Sequence, residues 1–417
     1  MAIDKKKHIA VLSTMYYPDM GAPSAFIDKY VKALKEDYIF HIITKTEVLD
    51  FTPSKDYDVR YITSFRHSLI LKTRKQISEG KNVLLNKMVM YGINFCKLIQ
   101  TQYAFPSAQR WEVDAYRTEL EKLHDEVGLD TIIAVSNNWV TQLATMDFKR
   151  KHSDVKWIAF ILDPYFLFHI YYKFKLFRSF WKRLNRKKEQ EVFDEADYCM
   201  LSPEMYKNVP LHFRINRERY FEIKFSLSIL ECKKEIKQEK RTDGICNLIF
   251  AGMFYKKIRN PEFALQTLSK VQGIKLDLFV GTGECETILS KYNHGHIKRE
   301  LFAERDRYVE MICNEYDVLV NVGNVSTLQA PSKMLELLST GKPILNFYFT
   351  QDYQYEMIEK YPLGLNIGYQ EEGAVEKIEK FCKEVKGKSI PYNEVEKLFP
   401  ENRLETQVAL LKKLIES

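Results

Sequence analysis

Cysteine is sparse and scattered in this chain. Its seven residues (Cys96, Cys199, Cys232, Cys246, Cys285, Cys313 and Cys382) include no Cys-x-x-Cys pair. That removes the common zinc spacings, and the odd count suits a reducing compartment better than a disulfide scaffold. No continuous apolar run approaches the ~20 residues a bilayer-crossing helix needs. The polar, basic stretch from Met1 to His8 lacks a secretory pattern. The expectation is therefore a cytoplasmic protein, at most peripheral on the inner face of the plasma membrane. Charge of one sign is not in large excess. The 63 Lys and Arg against 56 Asp and Glu leave +7 over 417 residues, too mild to argue for a nucleic-acid partner. No internal repeat of ~20–50 residues is visible.

Other signatures are incomplete. Gly281-Thr282-Gly283 lacks the third glycine of a dinucleotide fingerprint, which weighs against NAD. His8, His41, His124, His169 and His294 stand alone, and no His/Cys group has metal-ligand spacing. Asp56-Tyr57-Asp58 has the spacing of a metal-dependent Asp-x-Asp motif. It lies in the first half, far from the motif described below, and reads as surface charge. Neither a metal nor a cofactor is expected.

What is present is a folded α/β chain. Hydrophobic residues make up 45%, aromatic 13% and charged 29%, and the length suits two domains of ~100–200 residues each. Residues 8–14 (HIAVLST) read as a strand, 16–24 as a loop, 25–36 as a helix and 38–44 as the next strand. A βαβ opening of this kind points to a parallel sheet with helices on its faces. Residues 65–105 are basic and helical in pattern and 113–127 form a charged amphipathic helix. Strands are expected at 130–136, 156–162 and 196–201. Residues 233–241 (KKEIKQEKR) have no apolar face and read as an exposed connection. The alternation then restarts. Strands are expected at 246–251, 275–280, 295–297, 317–322 and 343–347, and helices at 261–271, 303–315, 331–340 and 402–415. Two doubly wound halves result, with a cleft between them as the natural ligand site.

The strongest chemical signal is residues 329–345 (QAPSKMLELLSTGKPIL). Pro331 and Ser332 stand where a helix begins, a position that tolerates proline. A helix start presents free N–H groups and the positive end of its dipole, which together seat phosphate. Lys333 adds a full charge there. Glu336, about one turn on, can accept hydrogen bonds from ribose hydroxyls. An ordinary capped helix followed by a strand would look the same on these grounds alone.

The segment resembles the donor-binding motif of GT-B glycosyltransferases, in particular the large retaining family 4 group. Pro331, Ser332, Lys333, Glu336, Gly341, Lys342 and Pro343 fill its P-S-K-x-x-E-x-x-x-x-G-K-P positions. The resemblance extends along the chain in order. Pro18, Gly21 and Ala22 are similar to the glycine-rich loop after the first strand, with Ala22 where a second glycine is usual. Residues 250–261 (FAGMFYKKIRNP) resemble the opening of the donor domain, with Gly252 for close backbone approach and Arg259 as the basic residue facing the diphosphate. Residues 278–283 (LFVGTG), including Gly281, resemble the strand and turn beneath the base. Gly295, His296 and Ile297 resemble the short segment whose backbone reads the base edge.

The resemblance implies a GT-B architecture of two Rossmann-like domains facing across a cleft. An acceptor-binding domain would span about 1–230 and a nucleotide-sugar-binding domain about 231–400, with a helix at 401–417 packing back on the first domain. It further implies metal-independent transfer of a hexose-type sugar from a nucleotide diphosphate sugar, with retention. The acceptor would be a glycan or lipid-linked, and the setting bacterial surface-polysaccharide or glycolipid assembly. Ser332 and Lys333 would contact the diphosphate and Glu336 the ribose, while Arg259 and Lys333 would stabilise charge on the leaving group. Asp163, Asn137 and Asn138 are acceptor-side candidates, Asp163 serving equally well as a strand-end turn residue. The first of the two family glutamates is replaced by Leu328, which leaves sugar contacts to residues 323–329 (GNVSTLQ). Two rivals remain: a GT-B epimerase, and a non-catalytic relative that binds glycan or steadies a partner transferase.

Residues 164–188 mix aromatic rings with eight Lys or Arg between Lys173 and Lys188. The composition suits an anionic membrane surface, with the basic stretch 72–87 on the same side. Burying the rings in the first domain would be the plainer explanation.

Overall fold

The computed structural model describes residues 6–18, 20–46, 57–62, 65–103, 110–136, 139–163, 165–167, 176–227, 244–302, 304–325 and 333–417. The chain divides into two units, one of Met1–Ile223 with Gln407–Ser417, the other Lys224–Thr406.

In the first unit seven strands form one sheet: β1 His8–Leu12, β2 Ile39–Thr44, β3 Asp58–Tyr61, β4 Thr131–Ser136, β5 Lys156–Ile161, β6 Tyr198–Leu201 and β7 Tyr220–Glu222. Their order is β3-β2-β1-β4-β5-β6-β7, parallel throughout. Every residue of β4 (TIIAVS) is buried. A parallel strand covered on both faces reads as a continuous apolar run instead of an alternating one. The helices are α1 Ala22–Leu34, α2 Phe65–Ser78, α3 Val83–Tyr103, α4 Arg110–Val127, α5 Val140–Lys149, α6 Arg178–Glu195 and α7 Pro203–His212. Tyr116 and Leu120 of α4, Phe148 of α5 and Val192 of α6 meet Leu12, Ile43 and Trp157 of the sheet in one core.

The second unit repeats the plan. β8 Cys246–Ala251, β9 Ile274–Phe279, β10 Ile297–Glu300, β11 Val318–Val322, β12 Ile344–Tyr348 and β13 Gly364–Gly368 form a sheet of order β10-β9-β8-β11-β12-β13, again parallel. The accompanying helices are α8 Glu262–Leu268, α9 Glu286–Tyr292, α10 Arg305–Glu310, α11 Lys333–Ser339, α12 Tyr353–Lys360, α13 Ala374–Val385 and α14 Tyr392–Leu398. An asparagine ladder crosses three strands in register. Asn321 Nδ2 donates to Asn346 Oδ1 at 2.7 Å, and Asn346 Nδ2 donates to Asn366 Oδ1 at 2.7 Å.

The last helix, α15 Leu404–Glu416, ends against the first unit. Lys156 Nζ donates to the carbonyls of Leu414 (3.1 Å) and Ile415 (2.8 Å), and Tyr38 donates to Glu416 at 2.5 Å. Cations at the last carbonyls suit the negative end of the helix dipole.

Two local expectations are corrected. The strand expected at 295–297 starts instead at Ile297, because Gly295 (φ +62°) belongs to a turn closed by Ile297 N donating to His294 O at 3.1 Å. The helix expected at 303–315 is α-helical over Arg305–Glu310 and widens into a π-type turn over Met311–Glu315. The connection read at 233–241 lies outside the described residues.

Candidate functional site

In the second sheet β8 and β11 are neighbours, and the strand order runs outward from them in opposite directions. Their carboxyl ends form a topological switch point, where loops diverge and leave a crevice for ligand. The loop after β8 folds back on itself. Tyr255 N donates to Arg259 O at 3.2 Å and Arg259 N to Tyr255 O at 2.8 Å. This return brings Arg259 to the loop after β11, where its Nε donates to Asn324 Oδ1 at 3.2 Å. Val325 N donates to Ile258 O at 2.6 Å, tying the two loops together. Burial lowers the pKa of the Arg259 guanidinium, and Tyr255 and Asp352 oppose the shift. A cation is thus held in poor solvent, its guanidinium bonded to a neutral amide oxygen.

Lys333 opens α11 and reaches the same switch point. Its Nζ donates to the Ala251 carbonyl at the end of β8 and lies 4.6 Å from the centre of the Tyr308 ring. Gly252 has φ +156°, and a Cβ there would stand 3.8 Å from Lys333 Nζ. Burial brings the Lys333 pKa down to about 8, with Glu336 raising it and Arg259 and Arg305 lowering it further. Glu336, one turn along α11, pairs through Oε1 with Arg305 and accepts through Oε2 from Tyr308 OH at 3.3 Å. Arg305 also lies 5.6 Å from the Tyr308 ring centre. Burial first, then Glu336, raises the Tyr308 phenol well above its ordinary value. Arg259, Lys333 and Arg305 are therefore cations gathered near one carboxylate and one buried ring. Such a group, with excess positive charge in low dielectric, is suited to an anion carrying more than one charge.

Gly341 follows α11 with φ +69°, and a Cβ there would fall 1.9 Å from the Ile390 carbonyl oxygen. The glycine of the motif is thus required by a close backbone approach, which fixes where α11 stops.

The turn at Gly281-Thr282-Gly283 sits at the carboxyl end of β9. Arg299 Nη2 donates to Gly281 O at 3.0 Å and Nη1 to Glu286 at 2.6 Å, while Glu286 Oε1 accepts from Gly283 N at 2.9 Å. A Cβ on Gly281 would meet the Phe302 ring at 2.4 Å. Phe302, on the chain leaving β10, remains 56% exposed. It therefore presents an aromatic face beside the turn.

His296 and Ile297 do not join this group. The parallel register places Ile297 opposite Leu276 and Glu300 opposite Phe279, so both residues stand at the entry end of β10. His296 Nε2 is tied to Leu268 O at 2.9 Å and Ile297 is in the core. The reading of these residues at a base edge is corrected. The chain leaving β10 at Glu300, Leu301 and Phe302 occupies the corresponding place at the carboxyl edge.

Ser332 lies outside the described residues, as do Asn137, Asn138 and Leu328. In the first unit Gly21 caps α1 at the end of the loop after β1 (φ −79°, ψ 167°). Asp163 follows β5, half-buried. Both sit at the carboxyl edge of their own sheet. Asp58 pairs with His41 at 2.5 Å, which gives that surface carboxylate a structural partner.

Three residues at these edges escaped the sequence reading. Arg305 carries no motif. Trp139 is buried with φ +64° at the start of α5, its ring 5.4 Å from that of Tyr165. A left-handed conformation in a bulky residue is strained by roughly 1–2 kcal/mol. Glu189 of α6 is fully buried and accepts from Phe166 N at 2.8 Å, just beyond Asp163. Burial pushes its carboxyl up to about 8 against the pull of the Phe166 and Tyr165 amides.

No protein-family model and no curated protein sequence matches the chain. Solved structures do. Sucrose-phosphate synthase from Thermosynechococcus elongatus superposes with a TM-score of 0.65 at 12% identity, covering 99% of this chain and 98% of that one. A glycosyltransferase from Rickettsia africae gives 0.63 at 10%, with coverage of 99% and 98%. HepE from Anabaena, solved with UDP and glucose, gives 0.61 at 10%, with coverage of 98% and 99%. At such identities the likeness speaks of architecture. Two parallel sheets of Rossmann order, matched end to end, establish that this chain has the α/β GT-B fold.

Proposed function

We propose that the protein is a glycosyltransferase that takes a hexose-type sugar from a nucleotide diphosphate sugar. The observation that carries this reading is the convergence of Arg259 and Lys333 at the switch point between β8 and β11, with Glu336 one turn away. A diphosphate brings the charge these cations lack, and a ribose brings hydroxyls for Glu336 to accept from. The pattern of residues 331–343 resembling the family 4 motif supports the same assignment. So do neighbours of this fold, among them one solved with UDP and glucose.

In this reading Lys333 and Arg259 bind the diphosphate and stabilise the negative charge that grows on it as the glycosidic bond breaks. Electrostatic stabilisation of this kind needs no metal. The acceptor hydroxyl attacks from the face the leaving group departs, giving retention, and its proton passes to the donor phosphate. Ser332 adds a donor to the phosphates, and Gly252 keeps the approach clear of a side chain. Asp163 and Gly21, at the carboxyl edge of the first sheet, are assigned to the acceptor unit. The acceptor is a glycan or a lipid-linked sugar, in surface-polysaccharide or glycolipid assembly in the cytoplasm.

A panel of nucleotide diphosphate sugars tests this directly. Release of free nucleotide diphosphate from one of them, lowered at least a hundredfold by Arg259→Ala, is the expected result. Binding of a nucleotide sugar with no turnover under any acceptor would instead identify a non-catalytic relative.

A further inference from the structure

We propose that the outer face of α3 lies in the surface of an anionic lipid bilayer and docks the protein there. The helix is 21 residues long, about 32 Å at 1.5 Å per residue, and one of its faces is predominantly apolar. One face is accounted for. Asn86 is buried, Val83, Val89, Met90 and Ile93 are half-buried, and α3 packs on α2. The other face is exposed: Leu84 and Tyr91 are each 77% exposed and Met88 66%, with Leu85, Phe95 and Ile99 also open. At 3.6 residues per turn these six side chains fall within an arc of roughly 120°. A contiguous apolar strip on a surface helix marks an interaction site.

Charge selects the occupant. Residues 65–103 carry seven Lys or Arg (Arg66, Lys72, Arg74, Lys75, Lys81, Lys87 and Lys97) and one acid, Glu79. Lys72 and Lys87 are exposed. A second copy of the chain would bring the same positive surface against this one. Anionic headgroups complement it, while Tyr91 and Phe95 suit the depth at which aromatic rings settle. No described helix is long and apolar enough to cross a membrane, so α3 would lie along the interface with its outer face among the acyl chains. Residues 164 and 168–175 of the segment 164–188 lie outside the described residues, and in the rest the rings are divided between core and surface. Trp181, Asn185, Glu189, Val192 and Phe193 of α6 are buried in the unit, although Phe177 and Phe180 remain exposed.

This inference does not depend on the donor site and is tested without it. The full chain is sedimented with vesicles of phosphatidylcholine alone or with about a third phosphatidylglycerol. A polarity-sensitive dye on exposed Cys96 reports the environment of α3, with Cys96→Ser as labelling control. Expected are binding to the anionic vesicles, a blue shift of the dye and weakening by salt. Met88→Ser/Phe95→Ser should weaken binding at least tenfold, and Lys72→Gln/Lys87→Gln about fivefold per charge. Circular dichroism and thermal melting should match the unsubstituted protein. Absence of binding, equal binding to neutral vesicles, or insensitivity to the α3 substitutions would overturn the proposal. A dimer seen by light scattering and abolished by Met88→Ser/Phe95→Ser would overturn it in favour of a second copy.

Discussion

Replacing Lys333 with methionine should make the protein more stable and less able to bind nucleotide. The ammonium is held away from water with Arg259 and Arg305 acting against it, and its pKa falls from 10.5 to about 8. Each pKa unit corresponds to ~1.4 kcal/mol, so the charged form is disfavoured on folding by about 3 kcal/mol at neutral pH. Methionine fills similar volume without charge and forfeits about 1 kcal/mol of attraction to the Tyr308 ring and about 1 kcal/mol of hydrogen bond to the Ala251 carbonyl. The net gain is about 1 kcal/mol, and at roughly 2–4 °C per kcal/mol for a unit of this size the melting temperature rises by about 2–4 °C. The folded state binds fewer protons than the unfolded state between pH 8 and 10.5, so the unsubstituted protein gains stability as pH rises through that window. The advantage of Lys333→Met should therefore fall by about 2 kcal/mol between pH 7 and pH 9.5, and so change sign. Thermal melts at both values, with calorimetric titration of a nucleoside diphosphate, measure both effects. Affinity should fall about ten- to a hundredfold, the loss of one charge-assisted hydrogen bond. A variant less stable than the parent at both pH values, or one with unchanged affinity, would refute the placement of a desolvated cation at a phosphate site.

Three further outcomes follow from the same reasoning. Glu189→Gln keeps an acceptor toward Phe166 N and removes an ionisation that burial has pushed up to about 8. Because the folded pKa is raised, the parent loses stability as pH climbs from ~4.5 to ~8. Denaturant melts should show the glutamine variant gaining on the parent across that range by up to about 5 kcal/mol, then running parallel above it. Gly341→Ala places a methyl on the Ile390 carbonyl at a left-handed position; a loss of more than about 3 kcal/mol, or insoluble expression, is expected. Asn346→Leu removes the middle of the ladder: Asn321 Nδ2 keeps only Gln354 as acceptor, and Asn366 Oδ1 loses the donor Asn346 supplied. Urea unfolding should show a loss of about 2–4 kcal/mol.

Much of the architecture was readable because parallel strands buried on both faces are apolar runs with sharp edges. Strands such as 131–136 and 246–251 emerge at nearly the same limits in sequence and structure. The short edge strands β3, β7 and β13 were not read. Asp58–Tyr61 (DVRY) is exposed or half-buried at every position, so its pairing with β2 leaves no apolar run behind. Residues 65–105 read as basic and helical, and α2 and α3 lie there, but no sequence pattern told which face of α3 the protein itself covers.

The site divides along the same line. Local chemistry announced Lys333, Glu336 and Gly341, because a helix start, a turn and a close approach are all written within a few residues. Arg259 was flagged by a local motif, but its partner Asn324 is far along the chain, joined by a crossover between β8 and β11. Arg305 could not be anticipated, since its relevance rests wholly on the pair it makes with Glu336. That pair carries a functional implication. Each Glu336 oxygen already has one partner, Arg305 at Oε1 and Tyr308 OH at Oε2, so a ribose hydroxyl has to share an oxygen with one of them or take its place. A diphosphate offers Arg305 a stronger attractor than a single carboxylate. In the proposed site, phosphates that draw Arg305 toward themselves leave Glu336 more open to the ribose, so calorimetry should show a nucleoside diphosphate gaining on the bare nucleoside by more than the phosphate contacts alone supply.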